Sequence, residues 1–369
     1  MAADGSSPGC RIACSHDLTG ALLVAFQATD PALDALFVPF DNGELAWPAD
    51  GRVLFLRARD GFILRERRQA GWVFEQSFKP FADALARSGF HALERAPDDR
   101  FSLVLVLPPR QRDEARALMA RAIAHAVPGG IVVAAMPNAE GAKSGEADLA
   151  TLAGAVRNLS KHKCRVFWTA PLQGRSETVE AWMALDDVQP IGDGRFVSRP
   201  GLFAWDRVDT ASALLAAHLP SSLEGRVADL GAGYGYLARE IIARCPGVTA
   251  IDLYEAEARA LEPARINLEN ADRKIPFEVF WHDVTLGLPH RYDTIVSNPP
   301  FHQGRADLPE LGRAFIARAA DALLPHGEFW MVANRHLPYE SILAARFDDV
   351  RAVTVQDGFK VIAAKGVKA

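Results

Sequence analysis

One stretch of this chain is written twice. Phe101-Ser-Leu-Val-Leu-Val-Leu107-Pro108-Pro109 matches Tyr292-Asp-Thr-Ile-Val-Ser-Asn298-Pro299-Pro300 position for position, each an apolar run stopped by a double proline. The segment beyond each run repeats as well. Residues 117–138 read as helix, Pro-Gly-Gly, strand and asparagine; residues 314–334 read as helix, Pro-His-Gly, strand and asparagine. Short apolar runs bounded by turn residues are buried strands, and strands alternating with helices form parallel sheets joined by crossovers. Any two βαβ units share some of this order, but a duplication makes a sharper statement. In the first copy Leu107 stands where Asn298 stands, Arg110 stands where Phe301 stands, and no glycine cluster precedes them. The first half reads as a copy that has lost its chemistry.

The size of the chain agrees with two domains, since 369 residues exceed one ordinary core. With 49% hydrophobic and 24% charged residues, the composition is that of a globular protein. No run approaches the ~18 apolar residues of a membrane span. We expect a disordered leader at 1–20, a first domain at 21–192 and a second at 193–369. No basic region leads into residues 18–26, so a signal peptide is not expected. The four cysteines form no framework, and Cys10, Cys14 and His16 lack both a fourth ligand and zinc-site spacing. The expectation is a reduced, cytoplasmic, metal-free monomer. A net charge of −5 argues against a general nucleic-acid coat and leaves room only for local basic patches.

In the first half we expect strands at 53–56 and 62–64 joined across Asp60-Gly61, and a helix at 81–88. A loop at 141–146, a helix at 149–159 and a strand at 165–169 come next. In the second half, strands at 226–230, 248–254, 277–281, 292–297 and 328–333 alternate with helices. The end, 352–364, reads as a hairpin around Asp357-Gly358.

The chemistry collects in the second half. Val227-Ala-Asp229-Leu-Gly231-Ala-Gly233-Tyr234-Gly235 is a strand ending in an acid and a glycine-rich turn into a helix. Glycines there let a ligand approach the backbone closely. The dinucleotide fingerprint would need a small residue where Tyr236 stands, so a nucleoside with an amino-acid tail suits the turn better. Asp229 would then meet the amino group. An acid near the end of the next strand would take the ribose hydroxyls; Glu255 and Asp252 compete for that place, and Glu255, just before the helix with Ala260-Leu261, is preferred. Asp283 is placed to accept from an adenine amine, or else to cap a turn. Past the next strand, Asn298-Pro299-Pro300-Phe301 offers stiff carbonyl acceptors beside a stacking ring. Such a loop grips a planar amine.

Together these residues resemble a class I S-adenosylmethionine-dependent methyltransferase. Phe301-His302-Gln303-Gly304, the segment Pro200-Gly201-Leu202-Phe203 with Asp206 to Asp209, and the degenerate first half resemble the ribosomal RNA guanine-N2 methyltransferases. The resemblance implies two tandem Rossmann-like domains, of which only the second binds S-adenosylmethionine. It implies ribosomal RNA or the small ribosomal subunit as partner. In that reading Asn298 and the Pro299 carbonyl accept from the guanine amine, Pro300 stiffens the loop, and Phe301 stacks on the base. Phe203 packs near the cofactor or base, or is a plain core ring. His302 is a loop contact or a proton acceptor. Lys161 and Lys163, with Arg157 and Arg165, form an RNA-docking patch or a solvated face, and Arg65, Arg67 and Arg68 form a second such knot. The alternatives are a protein glutamine or DNA adenine methyltransferase, and a catalytically silent RNA-binding scaffold.

Overall fold

A computed structural model of the chain describes residues 30–174, 176–300, 302–303, 306–307 and 309–368, with backbone alone at 302–303 and 306–307. The expected leader at 1–20, Cys10, Cys14, His16 and Phe301 lie outside the described residues.

Two seven-stranded sheets carry the fold, and their strand orders are the same. The first comprises β1 (Val53–Leu56), β2 (Trp72–Glu75), β3 (Ala92–Leu93), β4 (Phe101–Val106), β5 (Ala126–Pro137), β6 (Val156–Lys161) and β7 (Cys164–Thr169), ordered β3-β2-β1-β4-β5-β7-β6. A small ribbon, β8 (Gln189–Ile191) and β9 (Phe196–Ser198), leads to the second. That sheet holds β10 (Glu224–Leu230), β11 (Gly247–Glu255), β12 (Phe277–Trp281) and β13 (Tyr292–Ser297). A short pair, β14 (His302–Gln303) and β15 (Ala306–Asp307), precedes β16 (Leu323–Asn334), β17 (Phe347–Gln356) and β18 (Phe359–Val367), and the order is β12-β11-β10-β13-β16-β18-β17. In each, the first five strands are parallel and the last two close as an antiparallel hairpin. Central strands such as Val53-Leu-Phe-Leu56 are wholly buried because helices cover both faces.

The registers align the two halves residue by residue. Leu56 pairs with Val106, and Leu230 pairs with Ser297, so Leu107 and Asn298 hold the same place. Phe55 then matches Asp229, Arg57 and Arg59 match Gly231 and Gly233, and Gln76 matches Glu255. At the strand-end acid and the two turn glycines, the first half carries bulk or charge instead. That is the degeneracy, written in side chains.

Three expectations fail in the first half. Residues 62–64 are not a strand: Phe62–Arg67 is a helix. Parallel strands need a crossover, and this short helix supplies the one between β1 and β2. The helix expected at 149–159 is instead Ala142–Ala153, ending at Gly154 with φ 81°, and Val156–Lys161 beyond it is the edge strand β6. The apolar spacing of residues 149–159 fits a helix, but Gly154 breaks it, and the loop expected at 141–146 lies largely inside the helix.

The sheets meet at equivalent edges. Phe78, after β2, bridges Glu257, after β11. Lys79 N–H donates to Ala256 O and Ala258 N–H to Ser77 O, each 2.8 Å. The registers make Ser77 the match of Ala256 and Lys79 that of Ala258, so the two bonds are mirror partners about a local two-fold. Trp281 Nε1 donates to both Ser77 O at 2.8 Å and Ala256 O at 2.9 Å. Arg259, just beyond, pairs with Glu114 of the first half at 2.8 Å and reaches Pro200 O at 2.6 Å.

Candidate active site

Asp229, one residue before the end of β10, is completely buried. Oδ2 accepts the Ala238 N–H at 3.2 Å, while Oδ1 has no partner. A buried carboxylate oxygen left unpaired is costly unless a ligand supplies the donor. Burial pushes the carboxyl up to about 7, with the Ala238 hydrogen bond opposing and the Glu255 charge adding to the rise. Gly231 and Gly233 take φ of 72° and 55°, a left-handed backbone that disfavours any side chain. Gly233 has nothing within 4 Å of where a Cβ would stand, so the turn after the orphaned oxygen is an open cradle. Tyr234, buried under that turn, donates its hydroxyl to Arg207 O at 3.2 Å and ties the 200–209 segment to the site.

Glu255 closes β11. Its Oε2 accepts the Gly233 N–H at 2.7 Å and its Oε1 the Glu257 N–H at 2.8 Å, while burial raises its carboxyl above the usual range. Asp252 sits three residues earlier, 2% exposed, and its Oδ2 is taken by Arg226 at 2.7 Å and by the Tyr292 hydroxyl at 2.7 Å. Of the two competing acids, Glu255 touches the glycine turn and Asp252 serves the sheet interior. Asp283 caps the turn after β12 through Oδ1, which accepts from the Thr285 N–H at 2.9 Å and hydroxyl at 2.7 Å.

Asn298 comes directly after β13. Gly231's Cβ position lies 3.9 Å from both Asn298 O and Pro300 Cδ, so the Asn-Pro-Pro loop and the glycine turn share one wall. Ser297 Oγ donates to Leu230 O at 2.8 Å and locks the two strand ends together. Asn298 Nδ2 donates to Asp209 Oδ2 at 3.0 Å and to Ser212 Oγ at 2.8 Å. Asp209 is the N-cap of the helix Thr210–His218. Its grip on the asparagine has no counterpart among the sequence expectations; the only sign in the sequence is the Asp-x-x-Ser spacing of a helix start.

The remaining expected residues scatter. Phe203 is 67% exposed, which corrects the alternative of a plain core ring, because the Pro200-Gly201 turn carries it out of the interior. Lys161 and Lys163 are exposed at the tip of the β6–β7 hairpin, where His162 and Lys163 take φ of 53° and 58°. Nearby Arg157 pairs with Glu44, and Arg165 with Glu146, which leaves less free charge there than the sequence suggests. In the second knot Arg65 and Arg67 pair with Asp60 and Asp41. Phe301 and the His302 side chain lie outside the described residues.

An orphaned acid, a glycine cradle, a second acid bonded to that cradle and an amide across from them fit a cationic amino-acid tail joined to a nucleoside. On this sheet order they define a class I S-adenosylmethionine-dependent methyltransferase. A family model for the methyltransferase small domain matches residues 193–363. Ribosomal RNA small subunit methyltransferase C of Pseudomonas aeruginosa is 31% identical over 309 residues, covering 82% of this chain and 91% of that protein. The protein of the same description from Psychromonas ingrahamii is 28% identical over 287 residues, covering 76% and 80%. The solved T. thermophilus 16S rRNA N2 G1207 methyltransferase (RsmC), in complex with AdoMet and guanosine, aligns with a TM-score of 0.76 at 25% identity. That alignment covers 92% of this chain and 93% of the other. The chain belongs to the ribosomal RNA small subunit methyltransferase C family.

Proposed function

We propose that this protein transfers a methyl group from S-adenosylmethionine to the exocyclic N2 amine of a guanine in small-subunit ribosomal RNA. The observation that carries the reading is Asn298. Both hydrogens of its amide nitrogen are engaged by Asp209 and Ser212, so the side-chain atom left for a substrate is the acceptor oxygen Oδ1, on a residue whose backbone carbonyl walls the glycine turn. S-adenosylmethionine, when bound, supplies an electrophilic methyl on a sulfonium.

The chain's own residues do the rest by positioning. Asp229 Oδ1 receives the amino group of the cofactor's tail, and Gly231, Gly233 and Tyr234 form the cradle. Glu255 takes the ribose hydroxyls, and Asp283, whose turn is capped through Oδ1, accepts from the adenine amine. Asn298 Oδ1 and the Pro299 carbonyl accept hydrogen bonds from the two N–H groups of the guanine amine, which turns the nitrogen lone pair out of the ring plane. As the N–C bond forms the S–C bond would break to leave a neutral thioether, and the amine's surplus proton passes to solvent. Pro300 fixes that carbonyl's direction, and Phe301 stacks on the base, with His302 as a further contact. The base leaves its stack to enter. Exposed Phe203 meets the RNA beside the pocket.

The domain of residues 193–369 does the chemistry, and the domain of 21–192 docks RNA through Lys161 and Lys163 by phosphate contacts that position without reading sequence. The protein works as a cytoplasmic monomer; no helix among the described residues is long and apolar enough to cross a membrane. The test is incubation with methyl-labelled cofactor and small-subunit RNA, protein or DNA. Label in N2-methylguanosine is expected, and Asn298→Ala should cut turnover by about a hundredfold or more, with cofactor affinity within about twofold. Label in glutamine or adenine instead would reject the reading.

A further inference from the structure

An asparagine amide has a donor end and an acceptor end of nearly equal size. Only the acceptor end can receive an amine, so something must decide which way Asn298 faces. Two groups do. Asp209 Oδ2 accepts from Asn298 Nδ2 at 3.0 Å, and Ser212 Oγ accepts from the same nitrogen at 2.8 Å. Asp209 Oδ2 also accepts the Ser212 N–H at 2.8 Å, so both acceptors are held on the first turn of the helix Thr210–His218. The carboxylate end of the clamp makes its hydrogen bond charge-assisted. A flipped amide would point its oxygen at a carboxylate and its NH₂ at the substrate amine, repulsive on both sides.

The silent half provides a control for this arrangement. Its helix Pro31–Asp41 precedes β1 as Thr210–His218 precedes β10, and its N-cap is again an aspartate. Asp30 Oδ1 accepts the Ala32 and Leu33 N–H groups, both at 3.1 Å. The cap is therefore common to both copies. The serine is not: Leu33 stands where Ser212 stands, and Leu107 where Asn298 stands. Freed of an asparagine, Asp30 turns its other oxygen to Arg59 at 2.9 Å, the residue matching Gly233. The serine and the aspartate's bond to an amide occur only in the half that keeps the asparagine.

We propose that Asp209 and Ser212 are positioning residues that set the polarity of the site, holding Asn298 Oδ1 outward. The pocket so built accepts an amine and meets a ring carbonyl lone pair to lone pair, which discriminates the amino edge of a base from its oxo edge. The inference rests on the reading of the protein as an amine methyltransferase and adds the residues that enforce it.

The experiment measures methyl transfer to small-subunit ribosomal RNA by the full chain. Asp209→Ser keeps a capping oxygen but is too short to reach the amide, and Ser212→Ala removes the second acceptor while leaving the cap. Each should lower kcat about tenfold and the pair about a hundredfold, with KM for S-adenosylmethionine within about twofold. Asp209→Asn keeps an oxygen that can serve both the cap and the amide, and should stay within about threefold of wild type. A helix-cap role alone would leave Asp209→Ser at wild-type kcat, since serine caps well. Wild-type kcat in the double variant, or an Asp209→Asn as slow as Asp209→Ser, overturns the proposal. If Asp209→Ser does not fold, Ser212→Ala decides by itself, with unchanged kcat the refuting result. A wild-type protein that leaves guanine N2 unmodified would refute the underlying reading instead.

Discussion

Asp229 couples the site to pH. Its folded carboxyl titrates near 7, against an ordinary value of 3.8, because burial penalises the charge. Between about 4 and 7 the native protein, without cofactor, holds a proton that the unfolded chain has released. The stability this group contributes is therefore greatest at low pH and is lost as pH rises through 7. In the proposed site cofactor binding runs the other way, since an ammonium held by Asp229 needs the ionised form. Affinity should rise by up to about tenfold per pH unit toward 7 and then level off. Asp229→Asn should flatten that profile, weaken binding, and leave the cofactor-free protein at least as stable at about pH 8. Calorimetric titrations across pH and thermal melts measure both effects. The acid and its turn were legible in the sequence because a strand-end Asp before Gly-x-Gly-x-Gly is a local pattern. The orphaned oxygen was not, since only packing decides whether a carboxylate finds a partner.

At the scale of elements, the glycine turn works through backbone shape. Gly231 sits at φ 72°, and a Cβ there would meet Phe315 at an ordinary 3.5 Å. Gly231→Ala should therefore cost about 1 kcal/mol of stability from the left-handed conformation alone. It should also weaken S-adenosylmethionine binding, because the methyl shares the wall with Asn298 O. Urea unfolding and binding calorimetry separate the two effects. This turn, the strands around it and the terminal hairpin were legible in the sequence, since each carries its own periodicity and turn residues. Residues 62–64 and 149–159 were not, because short apolar segments fit either period. There the parallel partner of β1 and the break at Gly154 settle the outcome.

At the scale of the molecule, the two sheets are joined through the loop that follows Glu255. The Phe78–Glu257 bridge and the paired bonds at Ser77, Lys79, Ala256 and Ala258 extend from one sheet's edge to the other's. Arg259 pins this junction, with its guanidinium between Glu114 and Asp186. Burial raises the Glu114 carboxyl above its usual range, and Arg57 and Arg259 oppose that rise. Arg259→Ala removes one of those two charges, and a buried pair broken on one side costs about 3 kcal/mol. The expected result is a lower urea midpoint together with weaker cofactor binding, because the Glu255 loop loses its anchor. Loss of stability with unchanged binding would show that the junction does not support the site.

Local pattern alone was enough to read two α/β repeats and, in the second, the glycine turn and the Asn-Pro-Pro loop. Periodicity, glycine turns and Asn-Pro-Pro are properties of neighbours in the chain, and neighbours are what a sequence lists. The partners that occupy Asp252, the outward turn of Phe203 and the grip of Asp209 and Ser212 on Asn298 were decided only by the tertiary structure. Each of these depends on which distant group a side chain meets, as when the Asp252 carboxylate is taken by Arg226 and Tyr292 before it can reach the strand's end.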